Sequence, residues 1–132
     1  MRHLLDVNAL VALGFAQHEF HRRVAAWLKA EHFPELATCS ITELGFVRVL
    51  AQAPAYGFSV EQACDLLLSL KAASHPHFTF ISDDHDVSHL PAWAKSPKQT
   101  RDGHLVALAN ENQGVLATLD SKIQGAYLIP KN

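Results

Sequence analysis

Arg2-His3-Leu4-Leu5-Asp6-Val7-Asn8-Ala9-Leu10-Val11-Ala12-Leu13 (RHLLDVNALVAL) is the stretch whose reading decides the fold. Residues 3–6 form a short apolar strand. From residue 8 to 16 the apolar positions take helical spacing, with Asp6 or Asn8 placed to cap the helix. Asp6 therefore stands where a buried strand gives way to a helix, a poor position from which to stabilise a core. The same juncture recurs at Glu43, just past the apolar run 36–41; at Asp102, which opens the run 103–109; and at Asp120, after the run 115–119. Carboxylates gathered at one topological place imply one acidic pocket. Such a pocket holds its charge only with a cation, and hard oxygen donors suit a divalent ion such as Mg²⁺ or Mn²⁺.

Working outward, strands and helices alternate. Phe20, Val24, Trp27 and Leu28 mark one helical face over residues 19–31, and Pro34 breaks it. A strand over 36–39 leads into a helix from about 40 to 53. Ser40 and Thr42 are its N-cap candidates, and Ser40-Ile41-Thr42-Glu43 has the spacing of a capping box. A further helix spans 59–73, opened by Ser59 with Gln62 at the reciprocal position. Residues 78–81 are the third strand. The stretch 82–98 is polar, rich in histidine and punctuated by Pro91 and Pro97, so it reads as a loop with at most a short helical turn. A helix over 100–112 with Gly114 as its cap, a strand over 115–119 and a last strand over 126–129 complete the chain.

This alternation predicts an α/β fold: one domain over residues 1–132, with a central parallel sheet of about five strands flanked by helices. Ligands of such sheets bind beyond the carboxyl ends of the strands, at the switch point. Asp6 and Asp120 lie at those ends, and Glu43 and Asp102 are expected in the first turns of helices that start on the same side.

Composition narrows the function. The chain is 48% hydrophobic, enough for a core and too much for a disordered chain. No apolar run reaches the ~18–20 residues needed to span a bilayer. The N-terminal apolar run is broken by Asp6 and Asn8, unlike a secretory signal, so a cytoplasmic location without membrane attachment is expected. Cys39 and Cys64 are then free thiols rather than a disulfide. A net charge of −2 argues against gripping nucleic acid by bulk positive charge, but a bound ion or a basic partner can supply that charge locally.

Residues 4–13 (LLDVNALVAL), 38–50 (TCSITELGFVRVL), 101–109 (RDGHLVALA) and 116–120 (LATLD) resemble, in order and spacing, the successive motifs of the PIN domain family. The likeness is closest to the VapC-type toxins of toxin–antitoxin pairs, and residues 18–28 (HEFHRRVAAWL) resemble that group's second helical segment. The resemblance implies an endoribonuclease dependent on Mg²⁺ or Mn²⁺, with Asp6, Glu43, Asp102 and Asp120 as the catalytic, metal-binding acids. Asn8 and Thr118 would be supporting residues that orient ligands or waters. It also implies an RNA substrate such as tRNA or rRNA, a cognate antitoxin protein and a homodimer. Two departures stand out: Arg101 intervenes between Thr100 and Asp102, and Gly103 stands where the family often has Ala.

Arg101, Arg48 and Trp93 are the candidates for RNA contact. Trp27 lies on an apolar helical stripe and belongs to the core. The spacings His18-x-x-His21 and His85-x-x-x-His89 would suit zinc, but no cysteine pair accompanies them. One rival reading is a catalytically inactive PIN-fold module that binds RNA or protein. A second is a phosphoryl-transfer domain with Asp6 as nucleophile. The second wants an acid where Asn8 stands and a late lysine, and Lys122 is poorly placed for that role.

Overall fold

The computed structural model describes residues 1–131. Five strands, β1 (Arg2–Leu5), β2 (Leu36–Thr38), β3 (Phe78–Phe80), β4 (Gly114–Thr118) and β5 (Tyr127–Leu128), form one sheet in the order β3-β2-β1-β4-β5. Every pairing is parallel. Five α-helices cover it: α1 (Val7–Gly14), α2 (His21–Ala30), α3 (Ser40–Gln52), α4 (Val60–Ala72) and α5 (Pro97–Glu111). A single 3₁₀ turn, Val87–His89, interrupts the long polar connection after β3. The expected α/β architecture is the observed one.

Parallel strands covered on both faces must be apolar on both. Successive side chains point to opposite faces, so Leu5, Leu36 and Ala117 join the core beneath α1–α4, while Leu4, Ala37 and Leu116 join the core beneath α5. Leu4, Leu5, Leu36 and Leu116 are fully buried. The chain builds outward from β1 to β3, then returns to lay β4 on the other side of β1. The switch point therefore falls between β1 and β4, where Leu5 pairs with Ala117.

Several boundaries differ from those expected, each for a local reason. Asp6 is not the strand's last residue but the N-cap of α1, its carboxylate accepting the Val7 N–H at 2.8 Å. The cap of α3 is Cys39 rather than Ser40 or Thr42, and the reciprocal partner is Thr42 Oγ1, which accepts the Cys39 N–H at 3.0 Å. Helix α5 starts at Pro97, which acts as a helix opener and not as a breaker. Ser96 caps that helix with Gln99 reaching back to its N–H at 3.1 Å. Asp102 consequently lies in the second turn of α5. Gly114 opens β4 instead of capping α5; a Cβ there would come within 2.7 Å of the Arg2 carbonyl oxygen, so glycine is what lets β4 close on β1.

His3 on β1 packs edge-on against Trp27 and Tyr127, with ring centroids 5.1 and 5.4 Å away. Trp27 Nε1 donates to the Tyr127 hydroxyl at 3.1 Å, which places Trp27 in the core as expected. His3 Nδ1 is buried without a hydrogen-bond partner, and burial lowers the His3 pKa below 6.5. The neutral ring is therefore the native form. Its contribution to stability is complete above pH 6.5 and falls away as acidification charges the unfolded chain's histidine more readily than the folded one. Thermal melts at pH 7.5 and pH 5.5 should show a loss on acidification that is smaller in His3→Phe. Equal losses in the two proteins would contradict this assignment.

Candidate active site

Because β1 and β4 are neighbours in register, the residues just past their ends meet. The Asp6 N–H donates to the Ala117 carbonyl at 2.9 Å, which continues the ladder by one bond. Asp6 is only 4% exposed. One carboxylate oxygen is held by the Val7 N–H; the other accepts the Thr118 hydroxyl at 2.8 Å. Thr118 Oγ1 in turn accepts the Asn8 amide at 3.3 Å and the Asp120 N–H at 3.1 Å. The Asn8 carbonyl oxygen accepts the Leu119 N–H at 3.1 Å. Asn8 and Thr118 thus join the start of α1 to the end of β4 and fix the orientation of a buried carboxylate. Hydrogen bonds to the charged form are what make such burial tolerable.

Asp102 reaches this place from α5, on the other face of the sheet, and Asp120 from the turn after β4. Asp120 is exposed, with one oxygen accepting the Lys122 N–H at 2.9 Å. A pocket of about 310 Å³ is lined by Asp6, Asn8, His18, Arg101, Asp102 and Asp120 over an apolar floor that includes Val11 and Ile123. Burial raises the pKa of Asp102 first, and the charges of Asp6 and Asp120 raise it further, against the opposing pull of Arg101. The three aspartates therefore share one electrostatic environment with an excess of negative charge. Its donors are hard carboxylate and amide oxygens, which fit Mg²⁺ or Mn²⁺. Among the described residues no group of three or more His, Cys, Asp and Glu side chains closes into a direct coordination shell.

Glu43 is not in this lining. Its Oε2 accepts the Thr38 hydroxyl at 2.6 Å and pairs with Lys71 Nζ at 2.5 Å. It borders instead an apolar cleft between α3 and α4, with Leu44, Val47, Cys64, Leu67 and Leu68. Three of the four expected acids line this pocket, and Glu43 lies outside its lining with Oε2 engaged by Thr38 and Lys71. The cause is the packing of α4 on α3, which brings Lys71 across 28 residues of sequence.

The other candidates separate. Arg101 is exposed and lines both the acidic pocket and a neighbouring groove with Ile41, Val87, Leu90 and His104. Arg48 is exposed and forms no ion pair among the described residues; its neighbour Val49, not Arg48, touches the pocket. Trp93, expected at the RNA face, is half-buried against the core beneath α5. His85 and His89 stack with centroids 4.0 Å apart and 17° between planes, so the two rings do not aim at a common ion. His104 Nε2 lies 2.6 Å from Asp83. Cys39 and Cys64 are free thiols. His18 is the lining residue that sequence reading missed, since its spacing to His21 was weighed only as a zinc pair; His21 instead bonds the Ala12 carbonyl at 2.8 Å.

The profile of the PIN domain family matches residues 3–127. Ribonuclease VapC44 of Mycobacterium tuberculosis is 40% identical over 131 residues, covering 93% of this chain and 89% of the relative. Ribonuclease VapC38 of the same organism is 34% identical over 127 residues, covering 91% and 86%. The crystal structure of VapC20 of M. tuberculosis, a sarcin-ricin loop cleaving toxin, superposes with a TM-score of 0.66 over 100% of both chains at 11% identity, a likeness of fold.

Neutralising one acid should relieve the crowding that Asp102 experiences. Asp102→Asn is expected to melt about 2–5 °C higher than the parent at pH 7 without added metal. Saturating Mn²⁺ should raise the parent's melting temperature and leave that of Asp102→Asn nearly unchanged, since binding to the native state alone stabilises it. Scanning calorimetry of both proteins with and without Mn²⁺ checks the pair of effects.

Proposed function

This chain belongs to the PIN domain family, and from that premise we propose that it is a metal-dependent endoribonuclease acting as the toxin of a toxin–antitoxin pair. One observation carries the reading. Asp6, Asp102 and Asp120, from three separate elements, converge at the switch point of a chain that is 40% identical to a ribonuclease over nearly its whole length. The residues that would hold Mg²⁺ or Mn²⁺ are these three aspartates, with Glu43 a fourth whose Oε1 is not engaged by Thr38 or Lys71. When bound, such an ion supplies polarisation of a phosphodiester and a more acidic water.

The chain's own groups do the rest. The step proposed is direct attack by water on phosphorus beside the acidic lining of Asp6, Asp102 and Asp120. A new oxygen–phosphorus bond forms as the bond to the leaving ribose oxygen breaks, and the water's protons pass to solvent and to that oxygen. Asn8 and Thr118 keep Asp6 in one orientation through the step. Arg101 at the rim offers a fixed positive charge to the RNA phosphate, within an otherwise acidic mouth. The partners we propose are RNA, a cognate antitoxin and a second copy of the chain. Exposed Leu44 and Leu68, on either side of the cleft between α3 and α4, offer an apolar surface to the protein partners.

Purified protein incubated with total small RNA and tRNA should yield discrete fragments with Mg²⁺ or Mn²⁺ and none with EDTA. Asp6→Asn and Asp120→Asn should abolish the fragments. Thr118→Val, which removes the hydroxyl that orients Asp6, should slow cleavage about 10–100-fold. Wild-type rates in Asp6→Asn would sink the assignment.

A further inference from the structure

His18 lies in the connection between α1 and α2, away from the sheet that supplies the acids, yet it borders their pocket. Its position is fixed on several sides. The His18 N–H donates to the Phe15 carbonyl at 3.0 Å, and the His18 carbonyl accepts the His21 N–H at 3.0 Å. The ring is held as well: Nδ1 accepts the Phe20 N–H at 3.1 Å, and the ring lies 5.9 Å from that of Phe20. An Nδ1 that accepts leaves the proton on Nε2. Nε2 makes no hydrogen bond to protein among the described residues, and it is not a buried orphan. Burial lowers the His18 pKa, Glu19 opposes the shift and His21 adds to it, so the net effect favours the neutral ring.

A neutral donor is unusual company here. The lining's other ionisable groups are Asp6, Asp102, Asp120 and Arg101. A lysine in place of His18 would pair with an aspartate and compete with the cation. A neutral imidazole can instead donate to an oxygen of a bound anion without drawing on the carboxylates. We infer that His18 is a substrate-contacting residue, its Nε2–H donating to a backbone oxygen of RNA, phosphate or ribose hydroxyl, beside the bond that is cut. This rests on the ribonuclease reading for the nature of the ligand, not for the geometry.

The test compares the parent protein, His18→Ala and His18→Gln, the last keeping an N–H donor near the Nε2 position. The probe is a fluorescein-labelled pool of mixed-sequence 20-nucleotide RNA, with binding followed by anisotropy in Ca²⁺. Cleavage of total RNA is followed in Mg²⁺, and Mn²⁺ binding by calorimetry. His18→Ala should weaken RNA binding about tenfold or more, the effect of one lost hydrogen bond to a charged or buried partner. Mn²⁺ affinity should stay within about twofold, and His18→Gln should recover most of the RNA affinity. A DNA pool of the same sequences separates the two acceptors. If the effect of His18→Ala persists on DNA, the acceptor is phosphate; if it vanishes, the acceptor is the 2′-hydroxyl. RNA affinity unchanged in His18→Ala, equal loss in Ala and Gln variants, or lost Mn²⁺ binding would each overturn the assignment of His18. RNA bound through His18 but never cut would instead overturn the nuclease reading and leave the contact standing. A parent protein that neither binds nor cuts RNA would overturn both.

Discussion

The pairing of β1 with β4 is the constraint on which the rest depends. It joins the first residues of the chain to a strand more than a hundred positions later, with Leu5 opposite Ala117. That register sets Asp6 beside Thr118 and lets a hydroxyl from one strand end orient a carboxylate from the other. It also requires Gly114, because any side chain at the start of β4 would strike the Arg2 backbone. A slip of one residue would exchange the two buried faces of β4 and turn Thr118 away from Asp6. Fold and chemistry are thus specified by the same few contacts.

Charge is distributed unevenly around this centre. Two of the three converging aspartates are at least partly open to solvent, and only Asp6 is fully enclosed and fully hydrogen-bonded. Glu43 has found its cation within the chain, in a part-buried pair with Lys71. Thr38 and Lys71 both engage Oε2 of Glu43, which leaves Oε1 free of hydrogen bonds among the described residues.

Much of this was legible in the sequence. Apolar strands four or five residues long followed by periodic helices specify a parallel sheet almost unaided, and the acids at the strand–helix junctures place Asp6 and Asp120 just past its carboxyl ends. The capping box at Ser59 and Gln62 was read correctly because both partners are local. What could not be read depends on distance in the chain. The partner of Glu43 comes from another helix, and the place of His18 in the pocket lining depends on the fold of the α1–α2 connection. Trp93 looks like a stacking residue in a polar loop, but the loop folds back and covers the core with it. Pro97 was a matter of polarity: the same ring that ends a helix also begins one, and only the Ser96 and Gln99 side chains around it decide which.

Asp6 has a double role. It caps α1 and carries the buried centre of the hydrogen-bond network, so losing it removes a carboxylate from the site and also loosens the junction of β1, α1 and β4. Asp120 is exposed, and its side chain holds little beyond its own turn. The two positions therefore differ in what a substitution does to the chain. Changes at Asp120 leave the fold and the network around Asp6 intact. Changes at Asp6 give a less stable chain, opened at the junction of its two central strands and more exposed to proteolysis.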